Sequence, residues 1–319
     1  MNSNVHVGEV LGHRDGLIVI NCRLCGWAHL RELPDAAALS GYYKSDFWQK
    51  EKAGALEIME AEHDWLDDRH GDWLSALERY TRGRTMLDVG CGYGFFLGQA
   101  KLRGWMVSGI ELSAEAAQYA QQQNISVGTY VGGPAVYVGN WADGDDRLLY
   151  ILPPADLHFD VISALWLMEH LPDPMAFLRW CRAHLYDAGA LLLIVPNDFS
   201  AAQWAANEQV RKPFWWIHHT HLNYFTWATL SNLLGRAGFR IVNQLTAYPM
   251  ESFLPGSYQS YQESVPMYDY TADHEAGQEA HAIVKQFDLK RTREERLAHY
   301  RKLALRGEGR ELIVVAKPA

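Results

Sequence analysis

LDVGCGYGFFL, Leu87 to Leu97, sets three glycines at alternate positions between an apolar run and two phenylalanines. An apolar run that ends this way reads as a buried strand turning tightly into a helix. Gly90, Gly92 and Gly94 free the backbone to make that turn and to approach a ligand closely, and the helix that follows presents unpaired N–H groups at its start. A tight turn with no ligand satisfies the same pattern, so the neighbouring residues decide. The dinucleotide fingerprint G-x-G-x-x-G requires glycine at 95 or 97, counted from Gly90 or Gly92. Those positions hold Phe95 and Leu97, which disfavours a pyrophosphate loop. Farther on, MVSGIEL puts Glu111 at the end of the next apolar run, where a carboxylate can accept both hydroxyls of a ribose. Solvated surface is the other reading of that acid. Glycines and acid at this spacing suggest a nucleoside without a diphosphate.

Outward from the loop, strands and helices alternate. TMLDVG is a predicted strand and FFLGQAKLRG a helix closed by glycine. MVSGIE is a strand, and SAEAAQYAQQQ a helix that Ser113 caps while Glu115 meets the positive end of the dipole. ISVGTY and FDVISAL follow as strands, DPMAFLRWCRAHL as a helix and ALLLIVPN as a strand. Such alternation predicts a parallel sheet covered on both faces, an α/β doubly wound fold. Later come a helix at WATLSNLLGRAG, a strand at FRIVNQLTAY and a final strand, ELIVVAKP, the last two pairing as an antiparallel edge. About 60 residues separate these two strands, a length that predicts an insertion or lid. Ahead of the alternation, Leu56, Met59, Trp65, Leu66, Trp73, Leu74 and Leu77 are spaced for one or two helices between Ala53 and Arg82. Residues 1 to about 50 read as irregular, with LIVINC a short strand and CRLCG a tight turn. The predicted organisation is therefore a leading module over 1–52, a core over 53–250, an insertion over 251–310 and a last core strand over 311–319.

Composition narrows the function. The chain has 319 residues, 48% of them hydrophobic, enough for a substantial core. Its net charge of -9 argues against a nucleic-acid surface, which needs concentrated Lys and Arg. Small or neutral substrates fit better. No apolar run approaches the length of about 18 residues of a membrane span, and MNSNVHVGEV does not resemble a signal peptide. Four scattered cysteines, Cys22, Cys25, Cys91 and Cys181, do not form a secreted disulfide framework, so a cytoplasmic protein with reduced thiols is expected. The sequence leaves the oligomeric state open.

At LDVGCGYG, Glu111, FDVISALWLMEHLPDP and GALLLIVPN, residues 84 to 247 resemble the class I S-adenosylmethionine-dependent methyltransferases, small-molecule type, with four motifs in the family's order. The resemblance implies a Rossmann-like sheet of seven strands and S-adenosylmethionine as cofactor. It implies that Asp88 orients the cofactor's amino-acid end through the loop, that Gly90 and Gly92 contact it and that Glu111 holds the ribose. Cys91, Leu112, Trp141 and Leu165 complete the implied cofactor set. On the adenine side the family usually has an acid or amide after the third strand. Here GTYVGGPAVYVGNWADGDD is longer and richer in glycine, with Asn140, Trp141 and Asp143 all eligible. A cofactor-binding subunit without chemistry and an aminopropyl-type transferase on the same fold are the alternatives. The latter would want several acids to hold a polyamine, and the chain offers His and Trp instead.

Methyl transfer is an in-line displacement, so alignment of acceptor and methyl comes first and a base is needed only for a protonated acceptor. In this fold the segments after the fourth and fifth strands roof the methyl group. The former supplies His170 in LWLMEHLPDP, where EHLPDP is equally a helix-entry turn with Asp173 and Pro174 opening the next helix. The latter supplies His218, His219, His221 and Tyr224 among tryptophans, an aromatic pocket in which an imidazole can act as base near neutral pH. The catalytic set expected is thus His221, His170 and Tyr224. HLNYFTWATL is also a helix entry with Thr226 as N-cap, which would make His221 structural. Zinc at H-H-T-H matches no standard spacing.

CRLCG resembles one knuckle of a zinc ribbon. Some sugar C-methyltransferases of this fold carry the complete ribbon, and this sequence lacks the second cysteine pair. His6, His13 and His29 are the remaining helpers, and loss of the metal with retention of the turn is the expectation. Beyond the core, Cys22 to Gly26, Tyr42-Tyr43 and Tyr248 to Phe253 resemble a subgroup with a truncated cysteine module. Glu251 there is either a pocket acid or an exposed loop carboxylate.

Overall fold

Thr85–Val89 forms the strand from which the glycine loop leaves. The computed structural model describes residues 6–33, 54–127, 136–140, 145–152, 157–201, 203–205, 217–248 and 274–319. The strands are β1 (Gly8–Arg14), β2 (Leu17–Cys22), β3 (Ala28–Leu30), β4 (Thr85–Val89), β5 (Met106–Ile110), β6 (Ser126–Val127), β7 (Val136–Asn140) and β8 (Asp145–Leu152), then β9 (Phe159–Leu165), β10 (Leu185–Pro196), β11 (Asn223–Tyr224), β12 (Phe239–Leu245) and β13 (Glu311–Pro318). The helices are α1 (Ala55–Ala61), α2 (His63–Tyr80), α3 (Phe95–Leu102), α4 (Ala114–Gln122), α5 (Pro174–His184), α6 (Trp227–Arg236), α7 (His274–Leu289) and α8 (Arg293–Leu305).

A 7-stranded sheet runs in the order β12-β13-β10-β9-β4-β5-β6. β4 pairs in parallel with β5 on one side and β9 on the other, and β10 continues parallel to β9. The order reverses at β4, so the crevice beyond its carboxyl end is the switch point at which such sheets bind ligands. β13 turns back against β12: Ala319 N–H donates to Gly238 O at one end, and Arg310 N–H to Ala247 O at the other. This is the antiparallel pair predicted from the sequence. Burial explains the parallel strands. Met86, Leu87, Val161, Ile162 and Leu191 through Ile194 are all fully buried, as expected of strands covered on both faces, each such side chain contributing about 1.5–3 kcal/mol.

The helices begin where the sequence places their caps. Ser113 Oγ accepts from Ala116 N at 3.4 Å, and Asp173 Oδ1 accepts from Ala176 N at 2.9 Å with Pro174 in the first turn. The insertion between β12 and β13 holds two helices, because Thr292 forms a capping box with Glu295 and restarts the chain as α8. Among the described residues, no helix is long and apolar enough to cross a membrane.

Two compact units share the chain. One comprises Leu33–Ile194, Leu233–Asn243 and Val314–Ala319, and the other Met1–Glu32, Val195–Asn232 and Gln244–Ile313. The second unit holds a 4-stranded sheet in the order β1-β2-β3-β11. Here the leading residues depart from the irregular chain expected. Asp15 (φ 51°) and Gly16 (φ 82°) both adopt left-handed backbone, the two-residue turn that an Asp-Gly pair favours, and close β1 onto β2 with Gly8 opposite Cys22. β3 then pairs with β2 on one edge and with β11, nearly 200 positions later, on the other.

Candidate functional site

At the end of β4, Gly90 and Cys91 N–H both donate to Ile110 O, at 2.8 and 3.0 Å, lashing the loop to the end of β5. Gly90, Gly92 and Gly94 take φ of 74°, 53° and 81°, the left-handed region that glycine enters without penalty. A Cβ at Gly90 would lie 3.1 Å from Leu167 Cδ1, and one at Gly94 would lie 2.9 Å from Ala120 Cβ. The loop is therefore bare for reasons of space as well as conformation. Cys91 is buried, and its Sγ occupies the room left by Gly109, where a Cβ would stand 2.5 Å away. Burial pushes the Cys91 thiol well above its ordinary range, and the nearby Glu111 and Asp88 add to the shift. Cys91 is thus a packing residue of the loop in its neutral form.

Glu111 is fixed by backbone. Its Oε2 accepts from Gly92 N–H at 2.8 Å and its Oε1 from Ser113 N–H at 2.9 Å, so the acid and the glycine loop form one structure. Leu112 follows it directly, at the carboxyl edge of β5. Asp88 lies inside β4, buried, with Ser163 Oγ donating to its Oδ1 at 2.7 Å. Burial raises the Asp88 carboxyl to about 7. The Ser163 bond opposes that rise, and Glu111 reinforces it. A bare loop anchored to a rigid acid at the switch point is a cradle suited to a nucleoside-bearing cofactor.

β9 ends at Leu165, and Trp166 then takes φ 51°, a left-handed conformation rare for an aromatic residue, with its N–H donating to Ile194 O at 2.7 Å. Such strain clusters where a ligand must be met. The Arg69 guanidinium of α2 lies 5.0 Å from the Trp65 ring, 5.3 Å from Trp73 and 5.9 Å from Trp166, binding the leading helix to this corner. Beneath it His70 packs between Trp73 and Phe96, and burial drives its pKa down to about 3. The signal for this aromatic and Arg69 corner in the sequence is the Trp-x3-Arg-x3-Trp spacing from Trp65 to Trp73, which sets the three side chains on one helical face. His170 sits in the turn Met168–His170, largely buried, with Nε2 3.9 Å from Glu169 Oε1.

In the other unit, His221 and Tyr224 are buried, their rings 6.4 Å apart. His221 N–H donates to His218 O at 3.1 Å, and His218 N–H to Tyr224 Oη at 3.4 Å. Burial pushes the Tyr224 hydroxyl far upward, so it stays protonated at any physiological pH and can donate a hydrogen bond but not take a proton. The segment is held by β11: Asn223 pairs with His29 and accepts from Trp27 Nε1 at 2.9 Å. Thr226 caps α6 through Thr229 N–H at 3.3 Å, as the helix-entry reading predicts. Trp141 and Asp143, Tyr42 and Tyr43, and Glu251 lie outside the described residues, and only the backbone of Asn140 falls within them.

A family model described as a methyltransferase domain matches residues 63–244. The chain belongs to this methyltransferase family. S-adenosylmethionine is its methyl donor. Among curated relatives, a ubiquinone biosynthesis O-methyltransferase of Haemophilus ducreyi is 31% identical over 115 residues, 36% of this chain and 46% of that protein. One from Pasteurella multocida is 27% identical over 115 residues, 36% of this chain and 47% of that protein. The chain thus spans about half the length of the curated relatives it matches. A solved magnesium protoporphyrin IX methyltransferase from Synechocystis PCC 6803 aligns with a TM-score of 0.43 and 17% identity, covering 66% of this chain and 92% of that one. The matched stretch of the methyltransferase domain includes the glycine loop, Glu111, His170 and the histidine segment, and leaves β1 to β3 outside it.

Proposed function

We propose that the chain transfers the methyl group of S-adenosylmethionine to a small molecule, in the cytoplasm, and that the acceptor atom is an oxygen. The observation that carries the reading is Glu111, clamped by Gly92 and Ser113 N–H groups beside a loop in which a Cβ at Gly90 or Gly94 would crowd Leu167 or Ala120. Bound there, the cofactor supplies an electrophilic methyl on a sulfonium. Asp88 sets the loop's course, Gly90, Cys91 and Gly92 give it its close approach, and Glu111 holds the ribose, with Leu112 and Leu165 on the flanks; Trp141 joins this cofactor set on the family resemblance alone. The curated relatives are named as O-methyltransferases, and a hydroxyl acceptor starts protonated. A base is then needed, which is the role we assign to an imidazole, His221 or His170. Tyr224, kept protonated, orients rather than abstracts. The acidic balance of the chain favours a small acceptor over nucleic acid.

Calorimetry with S-adenosylhomocysteine, followed by turnover of methyl-labelled S-adenosylmethionine on a panel of phenols, catechols and sugars, tests the proposal. Labelled product from a hydroxylated compound supports it. A protein that ignores S-adenosylhomocysteine loses the cofactor assignment. Binding with no transfer to any acceptor moves the chain to a cofactor-binding subunit.

A further inference from the structure

The hairpin module ahead of the methyltransferase domain gathers His6, Cys22, Cys25 and His29, with one ligating atom from each lying within 4.8 Å of all the others. We propose that these four side chains bind a structural zinc ion in a Cys2His2 site. The proposal does not depend on the function proposed above.

Distances carry it first. His6 Nδ1 lies 3.1 Å from His29 Nε2, 3.4 Å from Cys22 Sγ and 3.3 Å from Cys25 Sγ. A tetrahedron with Zn–S of about 2.3 Å and Zn–N of about 2.0 Å has N···N edges of about 3.3 Å and S···N edges of about 3.5 Å. The three measured edges match this to within about 0.2 Å. Hydrogen bonding does not account for them, because one ring nitrogen carries either one proton or one lone pair and can serve only one of three partners. Three short contacts converging on it are the arrangement of ligands around a shared cation.

The supporting contacts are those of a metal site. His29 Nδ1 donates to Leu30 O at 2.6 Å, which fixes the tautomer and turns the Nε2 lone pair toward the cluster. Cys25 N–H points at Cys22 Sγ, 3.5 Å away, and helps to orient that sulfur. Gly26, at φ 85°, donates its N–H to Cys22 O at 2.9 Å and closes the C-x-x-C turn. Both cysteines are thiols. Two thiolates, two neutral imidazoles and one divalent ion sum to zero charge, so Cys22 and His29 can be buried there at little electrostatic cost. His6 and Cys25 are half-buried and leave the ion a path of entry. The mixed thiolate and imidazole set selects zinc over magnesium, calcium or manganese. The sequence lacks the second cysteine pair of a complete ribbon. His6 and His29 take that pair's place, brought to Cys22 by the register of β1 and β3 on β2. His29 also pairs with Asn223 of β11, so the ion would stiffen the strand next to Tyr224.

The test uses the full chain, purified under reducing conditions without chelator. Elemental analysis should give about one zinc per chain, and exchange for cobalt(II) should give a thiolate-to-cobalt charge-transfer band with the intense visible bands of tetrahedral cobalt. The Cys22→Ser, Cys25→Ser double variant should lose both metal and bands. A His6→Cys variant should keep one equivalent and strengthen the charge-transfer band, and it serves if the double variant does not fold. Folded wild-type protein that is zinc-free and shows no charge-transfer band with cobalt(II) overturns the proposal. So does a double variant that keeps its metal, since the ion then sits elsewhere.

Discussion

The turn after β4 and the segment from Ile217 to Phe225 are built from different material. The first is backbone: glycines, N–H groups and one carboxylate they hold. The second is side chains, imidazole and aromatic rings kept in place because β11 pairs with a strand nearly 200 positions away. A site made of backbone tolerates almost no added atom at its glycines. A site made of side chains tolerates substitution locally but depends on distant pairing. Cofactor affinity and turnover should therefore respond to different mutations.

The largest effect is expected at Gly90→Val. A left-handed φ of 74° and a Cβ 3.1 Å from Leu167 together cost about 4 kcal/mol, so S-adenosylhomocysteine affinity should fall about 1,000-fold in calorimetry. If affinity holds, the loop is not the cofactor's seat. Next, His221→Ala should lower turnover about 100-fold while leaving that affinity within a few-fold, as for loss of a general base. Equal turnover would make His221 structural, and turnover and affinity lost together would erase the contrast between the two regions.

Two buried groups in the sheet unit give opposite pH dependences. His70 has a folded pKa of about 3, depressed below 6.5, so its contribution is present above about pH 6.5 and is lost as pH falls toward 3. Asp88 has a folded pKa of about 7, raised above 3.8, so the folded state holds its proton longer and stability declines as pH rises from about 4 to 7. Between about pH 4 and 6.5 these slopes, each up to about 1.4 kcal/mol per pH unit, oppose one another. Urea titrations at pH 4.5, 5.5 and 6.5 should show stability falling with pH in His70→Phe and rising in Asp88→Asn, relative to wild type. Variants with parallel profiles would show that neither group is buried as described. The smallest effect is expected from Trp27→Phe, which removes the bond to Asn223 and should cost about 1 kcal/mol without changing cofactor affinity.

Legibility follows the same division. The loop, its strand, Glu111 and the caps at Ser113, Asp173 and Thr226 are local features, each specified by residues within a few positions, and the sequence alone establishes them. Even the N-terminal hairpin had its signal in Asp15-Gly16, which reads as a two-residue turn once β1 is recognised as its partner strand. Position in the chain says nothing, by contrast, about what stands across a strand pair. That Glu111 accepts from Gly92, that Cys91 fills the space over Gly109 and that Asp88 is held near neutrality by burial all depend on β4 lying between β5 and β9. The gathering of His6 and His29 on Cys22 and Cys25 depends likewise on the register of three strands. Local backbone preference and hydrophobic period determined the elements and the bare loop. Only the tertiary structure, through non-local pairing and the desolvation that packing imposes, decided which side chains meet and which of them hold their protons.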